Sequence, residues 1–272
     1  MATAAVLNPH NVPTSLNYFA STSNGEAPYN FTYTPPPNGL PQSNISAEAV
    51  NTIIHDVRGK EDTVSLDTTG FEFLHHVSQE KEFVDEEAIK TRYYKEVEEL
   101  LKKHTGAKRI LIFDHTIRRP FKEGQPSTQQ QRGPVTRVHV DQTFVAGFAR
   151  VRHHALEDAD RLLKGRVRII NVWRPIGNPV AHHPLAVADW RSIDPEKDLI
   201  STRHIYPDRE GSTFSVRYNP SHQWHYLAGQ TPDEVTLLSA ADTPYAFLDS
   251  TSPKDAPDRQ SIEVRCLVFD EE

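Results

Sequence analysis

The sequence predicts a mainly β protein of the α+β class, with helices packed against one face of a jelly-roll or double-stranded β-helix core. Two observations support this prediction. Helical patterns occur at about residues 85–104 and 144–163, while the chain after residue 166 consists mostly of short apolar segments separated by turn residues. Short strands that follow a helical layer are typical of this architecture.

The first 45 residues are predicted to form an extended arm packed on the domain. They are rich in Pro, Asn, Ser and Thr, and three consecutive prolines at 35–37 exclude a helix or a central strand there. Aromatic residues such as Tyr18 and Tyr29 distinguish this segment from a disordered one, and one short strand is expected near residues 29–34. Residues 46–272 are expected to form a single domain, in which residues 51–66 make a hairpin or two paired segments.

The clearest helix is predicted at residues 85–104. Asp85 is suited to the N-cap position, and Glu86 and Glu87 place negative charge in the first turn, where the helix dipole favours it. Gly106 is expected to end the helix. The apolar stripe at helical spacing consists of Ile89, Tyr93, Val97, Leu100 and Leu101.

The predicted strands lie on both sides of the second helical region. One precedes the second helical region, at residues 108–114, and a polar loop follows it at 118–134. The others are expected at residues 166–175, 199–206, 212–218, 223–227, 235–238 and 261–269. No internal repeat interrupts this order.

Composition and charge exclude several functional classes. The net charge of −7 argues against a nucleic-acid partner. No apolar run approaches the roughly 18 residues of a membrane span, and the N-terminus lacks the basic and apolar regions of a signal peptide. A single cysteine, Cys266, excludes an internal disulfide framework and lies in an apolar pattern that indicates a small core residue. The expected location is cytoplasmic, and the expected partner is a small molecule.

Residues 135–143 carry the first chemical signal. They alternate like a strand, so Arg137, His139 and Asp141 share one face while Val138 and Val140 take the other. An imidazole and a carboxylate two residues apart can hold two adjacent positions of a metal site, as in iron oxygenases that use two histidines and one carboxylate. Two polar residues on the exposed face of an edge strand would give the same pattern.

The last predicted strand carries the second signal. Arg259, Ser261 and Arg265 share one face of it. An arginine can bind a carboxylate through two parallel hydrogen bonds, and a neighbouring hydroxyl can add a third. The pattern therefore fits an anchor for a dicarboxylate co-substrate, and it equally fits solvated charges on an edge strand.

Five segments together resemble the fungal AsaB-type hydroxylase/desaturase family, which is itself similar to gibberellin desaturase and to bacterial cephalosporin-methoxylase-related proteins. They occur in the family order and cover roughly residues 85–269. The segments are VHVDQT at 138–143, IINVWRPI at 169–176, YNPSHQW at 218–224, TPDEV at 231–235 and RQSIEVR at 259–265.

This resemblance implies an oxidoreductase of secondary metabolism that uses Fe(II) and 2-oxoglutarate to hydroxylate or desaturate a small molecule, on a double-stranded β-helix. His139 and Asp141 would be iron ligands, and Arg259 with Ser261 would hold the 2-oxoglutarate carboxylate. The remaining matched residues would line the pocket; they are Asn171, Trp173, Arg174, His222 and Trp224.

The sequence departs from the family pattern at the second iron histidine. The matching stretch is ADTPYAFLD at 241–249, and Pro244 stands where the histidine is expected. His222 or His225 could complete the metal site from a neighbouring strand, with His222 the preferred candidate. Asp242 or Asp249 could instead supply an oxygen ligand. Alternatively the ligand is missing, either through loss of a short coding segment or because the protein is a non-catalytic small-molecule-binding member of the fold.

Overall fold

The computed structural model describes residues 10–22, 25–32, 34–120, 135–239 and 243–272. Strands dominate these residues, and helices cover parts of the sheets, which confirms the mainly β prediction. Among the described residues, the helices are too short or too polar for any of them to cross a lipid bilayer.

Within the described residues, strands occur along the whole chain, whereas the α-helices lie between residues 86 and 162. The strands are β1 (Val12–Ala20), β2 (Tyr29–Phe31), β3 (Ser46–Asp56), β4 (Phe71–His75), β5 (Arg109–Arg118), β6 (His139–Val140), β7 (Val167–Pro175), β8 (Leu185–Ala188), β9 (Leu199–Ile205), β10 (Glu210–Val216), β11 (Trp224–Tyr226), β12 (Glu234–Ser239), β13 (Pro244–Ala246) and β14 (Ser261–Phe269). The helices are α1 (Glu86–Ala88), α2 (Tyr94–Thr105), α3 (Phe144–Ala155) and α4 (Ala159–Leu162), and a π-helical turn (Ile89–Tyr93) joins α1 to α2.

The strands form three sheets. The first sheet has the order β1-β3-β11-β8-β13, the second has the order β2-β9-β10-β6, and the third has the order β4-β12-β7-β14-β5. Most pairs are antiparallel, while β11 with β3 and β2 with β9 run parallel. The edge positions of β6 and β13 matter for function, because both strands contribute side chains to one cavity.

The predicted helix is confirmed, together with the residues that begin and end it. The Asp85 side chain accepts hydrogen bonds from the backbone N–H groups of Glu87 and Ala88. Gly106 adopts a left-handed conformation with φ 71°, and its N–H bonds to the Lys102 carbonyl oxygen. Val97 and Leu101 pack with Val172 of β7 and Val264 of β14, so the helix covers one face of the third sheet.

Two further apolar clusters connect the sheets. One joins the first and second sheets and contains Leu16, Ile54, Val140, Val216 and Trp224, all nearly or fully buried. The other joins the first and third sheets through residues such as Phe71 of β4 and Val187 of β8. Burial of these apolar side chains is the main force that holds the sheets against one another.

The N-terminal region differs from its prediction. The short strand near 29–34 is present as β2, but residues 12–20 also form the nine-residue strand β1, which pairs along its whole length with β3. This pairing crosses the predicted division at residue 45. The expected hairpin at 51–66 is wrong, because β3 is followed by a turn at Gly59 and a 3-10 turn (Glu61–Thr63).

Most later strands agree with their predictions to within a few residues, but β8 and β13 were missed. Both are short and lie beside proline-containing segments, which gives little local strand signal. The strand expected at 135–143 is reduced to the two residues of β6. The predicted polar loop at 118–134 lies mostly outside the described residues.

Candidate active site

One cavity brings together side chains from strands of all three sheets. Its described lining contains the predicted residues His139, Asp141, Trp173 and Arg259. The other described lining residues are Arg118, Val135, Leu185, Pro244, Tyr245, Ala246 and Glu263. The strand alternation explains this convergence, because Val138 and Val140 face the core while His139 and Asp141 face the cavity.

The His139 ring is held in one orientation. Its Nδ1 atom lies 2.8 Å from the carbonyl oxygen of Arg137, which can only accept a hydrogen bond. Nδ1 therefore donates to this carbonyl, and Nε2 is the ring nitrogen that faces Asp141. This Nε2 atom lies 3.4 Å from Oδ1 of Asp141.

The two oxygens of Asp141 have different partners. Oδ2 accepts a hydrogen bond of 2.9 Å from Nδ2 of Asn171 and lies 3.5 Å from Nε of Arg265. Burial alone would raise the pKa of the Asp141 carboxyl, but Arg265, His139 and Asn171 together hold that pKa well below its usual range. Asp141 is therefore a carboxylate whose Oδ1 atom faces His139.

Arg259 is a buried cation in the lining of the same cavity. Its Nη1 donates to the His183 carbonyl oxygen at 2.7 Å, its guanidinium carbon lies 5.6 Å from the centre of the Trp173 ring, and its Nε has no hydrogen-bond partner among the described residues. Burial and the like charge of Arg118 lower the pKa of Arg259 to about 9, although Glu263 opposes this shift. Such a guanidinium favours a bound carboxylate.

Arg265 connects two carboxylates behind the cavity wall. Its Nη2 lies 2.6 Å from Oε1 of Glu263, while its Nε faces Asp141. Nη1 donates to Oγ1 of Thr116 at 3.0 Å. The opposed charges of Glu263, Asp141 and Asp114 raise the pKa of Arg265 despite its burial, so the guanidinium stays charged.

Sequence reasoning missed Arg118, Glu263 and the role of Arg265. Glu263 of β14 lines the cavity together with Arg259, which lies two residues before that strand, so the alternation that identified Arg259 also contained a signal for Glu263. Arg118 was missed because the predicted strand ended at residue 114, whereas β5 continues to Arg118 and pairs there with Ser261.

Two predicted site residues lie in the core between the first and second sheets. The ring nitrogens of His222 contact the hydroxyl of Tyr18 at 3.2 Å and Oδ2 of Asp198 at 3.0 Å. Trp224 donates from Nε1 to the same Tyr18 hydroxyl at 2.7 Å. The expectation that His222 completes a metal site and that Trp224 lines the pocket is therefore corrected, since both residues anchor β1.

Arg174 and Ser261 also lie outside the described cavity lining. Arg174 points to the helical side of the third sheet, where it donates to Tyr93 Oη and to the backbone carbonyls of His76 and Pro232. This orientation follows from alternation along β7, because Asn171 and Trp173 face the opposite side. Ser261 is buried at the start of β14.

The other candidates for a third metal ligand have different outcomes. His225 lies between His55 and Phe71, away from the cavity lining. Asp249 pairs with His10 at 3.2 Å. Asp242 lies outside the described residues. Within residues 10–22, 25–32, 34–120, 135–239 and 243–272, no three His, Cys, Asp or Glu side chains are arranged to hold a metal ion.

The cavity therefore fits the implied groups only in part. His139 Nε2 and Asp141 Oδ1, 3.4 Å apart, would be the two atoms of this pair to hold a divalent ion. Arg259, whose Nε has no partner in the part of the chain that the structure describes, fits the far carboxylate of 2-oxoglutarate. The third protein ligand of an iron site has no counterpart beside this pair among the described residues, because Pro244 and Tyr245 form that wall.

Comparison with known proteins identifies the family of this chain. A family model described as "Oxidoreductase/YMDC permease-like domain" matches residues 16–269. A "Hydroxylase/desaturase efuI" of Hormonema carpetanum is 34% identical, with 98% of this chain and 97% of the relative covered. A "Fe(II)/2-oxoglutarate-dependent dioxygenase nvfI" of Aspergillus novofumigatus is 33% identical, with 87% and 88% covered.

A solved structure shares the fold as well. The "iron and alpha-ketoglutarate-dependent endoperoxidase NvfI" superposes with a TM-score of 0.81 at 29% identity, and the match covers 95% of this chain and 98% of that one. The chain therefore belongs to the oxidoreductase family that this model describes, together with these fungal hydroxylases/desaturases and Fe(II)/2-oxoglutarate-dependent dioxygenases.

Proposed function

We propose that this protein is an Fe(II)/2-oxoglutarate-dependent oxidoreductase that hydroxylates or desaturates a small molecule in secondary metabolism, on a double-stranded β-helix. The observation that carries the proposal is the single cavity shared by His139, Asp141 and Arg259. This cavity contains both a histidine–carboxylate pair suited to a metal ion and a guanidinium suited to a carboxylate. The names of the relatives support the same chemistry.

Each cavity residue has a separate task in this proposal. His139 and Asp141 hold the metal through Nε2 and Oδ1, while Asn171 and Arg265 orient the carboxylate from behind. Arg259 binds the far carboxylate of 2-oxoglutarate, and Trp173 supports the guanidinium with its ring. Bound Fe(II) with 2-oxoglutarate supplies oxygen-dependent oxidation of a substrate C–H bond.

The apolar walls determine the class of substrate. Leu185, Tyr245 and Ala246 line the cavity beside the polar residues. An apolar wall with few polar groups favours a small organic molecule held close to the metal. The cytoplasmic location and the lack of nucleic-acid and membrane partners stay predictions from composition.

A second candidate function is a small-molecule-binding protein without turnover. Pro244 favours it, because this residue lines the cavity at the place where a third ligand would be expected. In that case Arg259 would still bind a dicarboxylate, while oxidation would not follow. Metal binding distinguishes the two candidate functions, because both of them predict that 2-oxoglutarate binds.

The test is a calorimetric and spectroscopic titration under anaerobic conditions. We expect 2-oxoglutarate to bind the wild-type protein and Arg152→Met, an exposed arginine variant, but to lose affinity in Arg259→Met. Addition of Fe(II) is expected to produce the visible charge-transfer band of the chelate, which His139→Ala abolishes. Retained 2-oxoglutarate affinity in Arg259→Met would contradict the proposed anchor, and binding without the band would favour the second function.

A further inference from the structure

We propose that Arg118 is a second anchor for the far carboxylate of the co-substrate and that it acts together with Arg259. The two guanidiniums make the cavity selective for a dicarboxylate 2-oxo acid over a monocarboxylate one. This inference rests on the proposed function above and names a further side chain that recognises its co-substrate.

Strand pairing places Arg118 beside the predicted anchor. Arg118 is the last residue of β5, and it pairs with Ser261, the first residue of β14. Directly opposed residues of an antiparallel pair project from the same face of the sheet, with Cβ atoms about 4.5–5.5 Å apart. Arg259 lies two residues before Ser261. Arg118 and Arg259 therefore come together at the same end of β14, and both line the cavity.

The two members of this strand pair differ in what they present to the cavity. Arg118 belongs to the described lining, whereas Ser261 is 1% exposed and lies outside that lining. A guanidinium has five N–H donors in a planar fork, and its charge makes each hydrogen bond to a carboxylate stronger than one from a hydroxyl. Arg118 is therefore better placed than Ser261 for the role that the sequence assigns to Ser261.

The two arginines act on each other electrostatically. Burial lowers the pKa of Arg259, and the positive charge of Arg118 lowers it further. Two like charges in one cavity repel each other, and a bound anion relieves this repulsion. A carboxylate has two oxygens, so each oxygen can accept hydrogen bonds from a different guanidinium. The pair therefore suits one carboxylate that lies between the two side chains.

Glu263 is the acid in the same part of the lining, and its negative charge acts against a bound carboxylate. Its Oε1 atom lies 2.6 Å from Nη2 of Arg265, a buried cation outside the described lining. Arg265 is shared with Asp141 and Asp114. It therefore offsets part of the negative charge of Glu263, and the two arginines of the lining are the groups that attract a carboxylate.

The test compares two ligands that differ only at the far end. In 2-oxopentanoate a methyl group replaces the far carboxylate of 2-oxoglutarate. Because both ligands share the 2-oxo acid end, the ratio of their affinities reports recognition of the far carboxylate alone. Anaerobic calorimetry with Fe(II) present measures both dissociation constants for each variant.

We expect Arg118→Met to reduce the preference for 2-oxoglutarate by about 10-fold or more, because charged hydrogen bonds to the carboxylate are lost. The affinity for 2-oxopentanoate should stay that of the wild type, which a merely structural role of Arg118 would not predict. Arg118→Lys should lose less, because lysine keeps the charge without the planar fork. Arg152→Met, in which the replaced side chain is 63% exposed, is the matched control and should behave as the wild type does.

An unchanged preference in Arg118→Met, or equal losses for the two ligands, would overturn the second anchor. If Arg259→Met still reduces the preference in that case, the proposed function stands without this inference. If Arg259→Met also leaves the preference unchanged, or the wild type does not distinguish the two ligands, the proposed anchor fails and this inference fails with it. Circular dichroism checks the fold of each variant, and Arg118→Gln, which is neutral and polar, decides the question if Arg118→Met does not fold.

Discussion

At the scale of single residues, the orientation of Asp141 depends on Asn171. Asn171 is 3% exposed and donates to Oδ2, the oxygen that faces away from His139. With this hydrogen bond in place, Oδ1 is the oxygen available to an ion. Asn171 therefore acts on the metal only through the carboxylate that it positions.

Asn171→Ala is expected to weaken Fe(II) binding by about 10- to 100-fold, because the ligand carboxylate loses its orienting donor. Anaerobic titration with 2-oxoglutarate present measures this change. Asn51→Ala on the exposed face of β3 serves as the control and should bind Fe(II) as the wild type does. Equal affinities in the two variants would show that Arg265 alone positions Asp141.

Residue-level prediction agrees with the structure on the direction of side chains where alternation decides it, while the roles of these side chains stay predictions. His139, Asp141, Trp173 and Arg259 all face the cavity as the sequence indicates. His222 was placed wrongly because its contact with Tyr18 joins residues 204 positions apart. Local pattern carries no information about such a contact.

At the scale of elements, one ion pair ties the turn after β3 to the start of β12. Arg58 contacts both oxygens of Glu234, and its Nη2 and Nε also donate to the Ala228 carbonyl oxygen at 2.8 and 3.1 Å. Glu234 also accepts a 2.8 Å bond from the Thr231 N–H. Burial would raise the pKa of Glu234, but Arg58 and Thr231 lower it below its ordinary value of 4.5.

Glu234→Gln is expected to reduce the free energy of unfolding by about 1.5–3 kcal/mol at pH 7, as for a hydrogen-bonded charged group. Because the folded-state pKa is lowered, this stabilisation is present above pH 4.5 and is lost as the pH falls through the folded-state pKa.

Urea denaturation between pH 3 and pH 7 measures the difference. Glu210→Gln removes a comparable but exposed pair with Arg203 and should leave the free energy of unfolding close to that of the wild type, because solvent screens exposed charges. A Glu234→Gln effect that stays constant down to pH 3 would rule out the ionic contribution.

Elements with local signals were predicted well, and elements that depend on distant pairing were not. The helix that begins after Asp85 carries its own cap, its apolar stripe and its terminal glycine. β1 is a strand because β3 pairs with it residue by residue, although its own sequence includes Pro13 and several polar residues. β1 is therefore a strand because it pairs with β3, and its own sequence does not predict it.

At the scale of the whole molecule, β1 belongs to the core between the first and second sheets. Leu16 and Tyr18 are fully buried there with Val140 and Trp224. If β1 unfolds cooperatively with the rest of the domain, a substitution that weakens its packing lowers the free energy of unfolding of all three sheets together. If it is a separable arm, the damage stays local.

Leu16→Ala is expected to lower the free energy of unfolding by about 2–5 kcal/mol, through lost burial and the cavity left behind. Ser15→Ala, at the exposed neighbouring position, should change it by less than about 0.5 kcal/mol. Urea transitions followed by tryptophan fluorescence and by far-ultraviolet circular dichroism should shift together. Separate transitions for the two signals would show that β1 unfolds on its own.

The hydrogen bonds that hold His139 and Asp141 also reduce the entropic cost of capturing an ion. Fixing a free side chain in a complex costs about 0.5–1.5 kcal/mol. In this protein Arg137 and Asn171 have already restricted the rotamers of the two ligands before any ion arrives. Folding itself therefore supplies part of the order that binding of an ion to these two side chains would require.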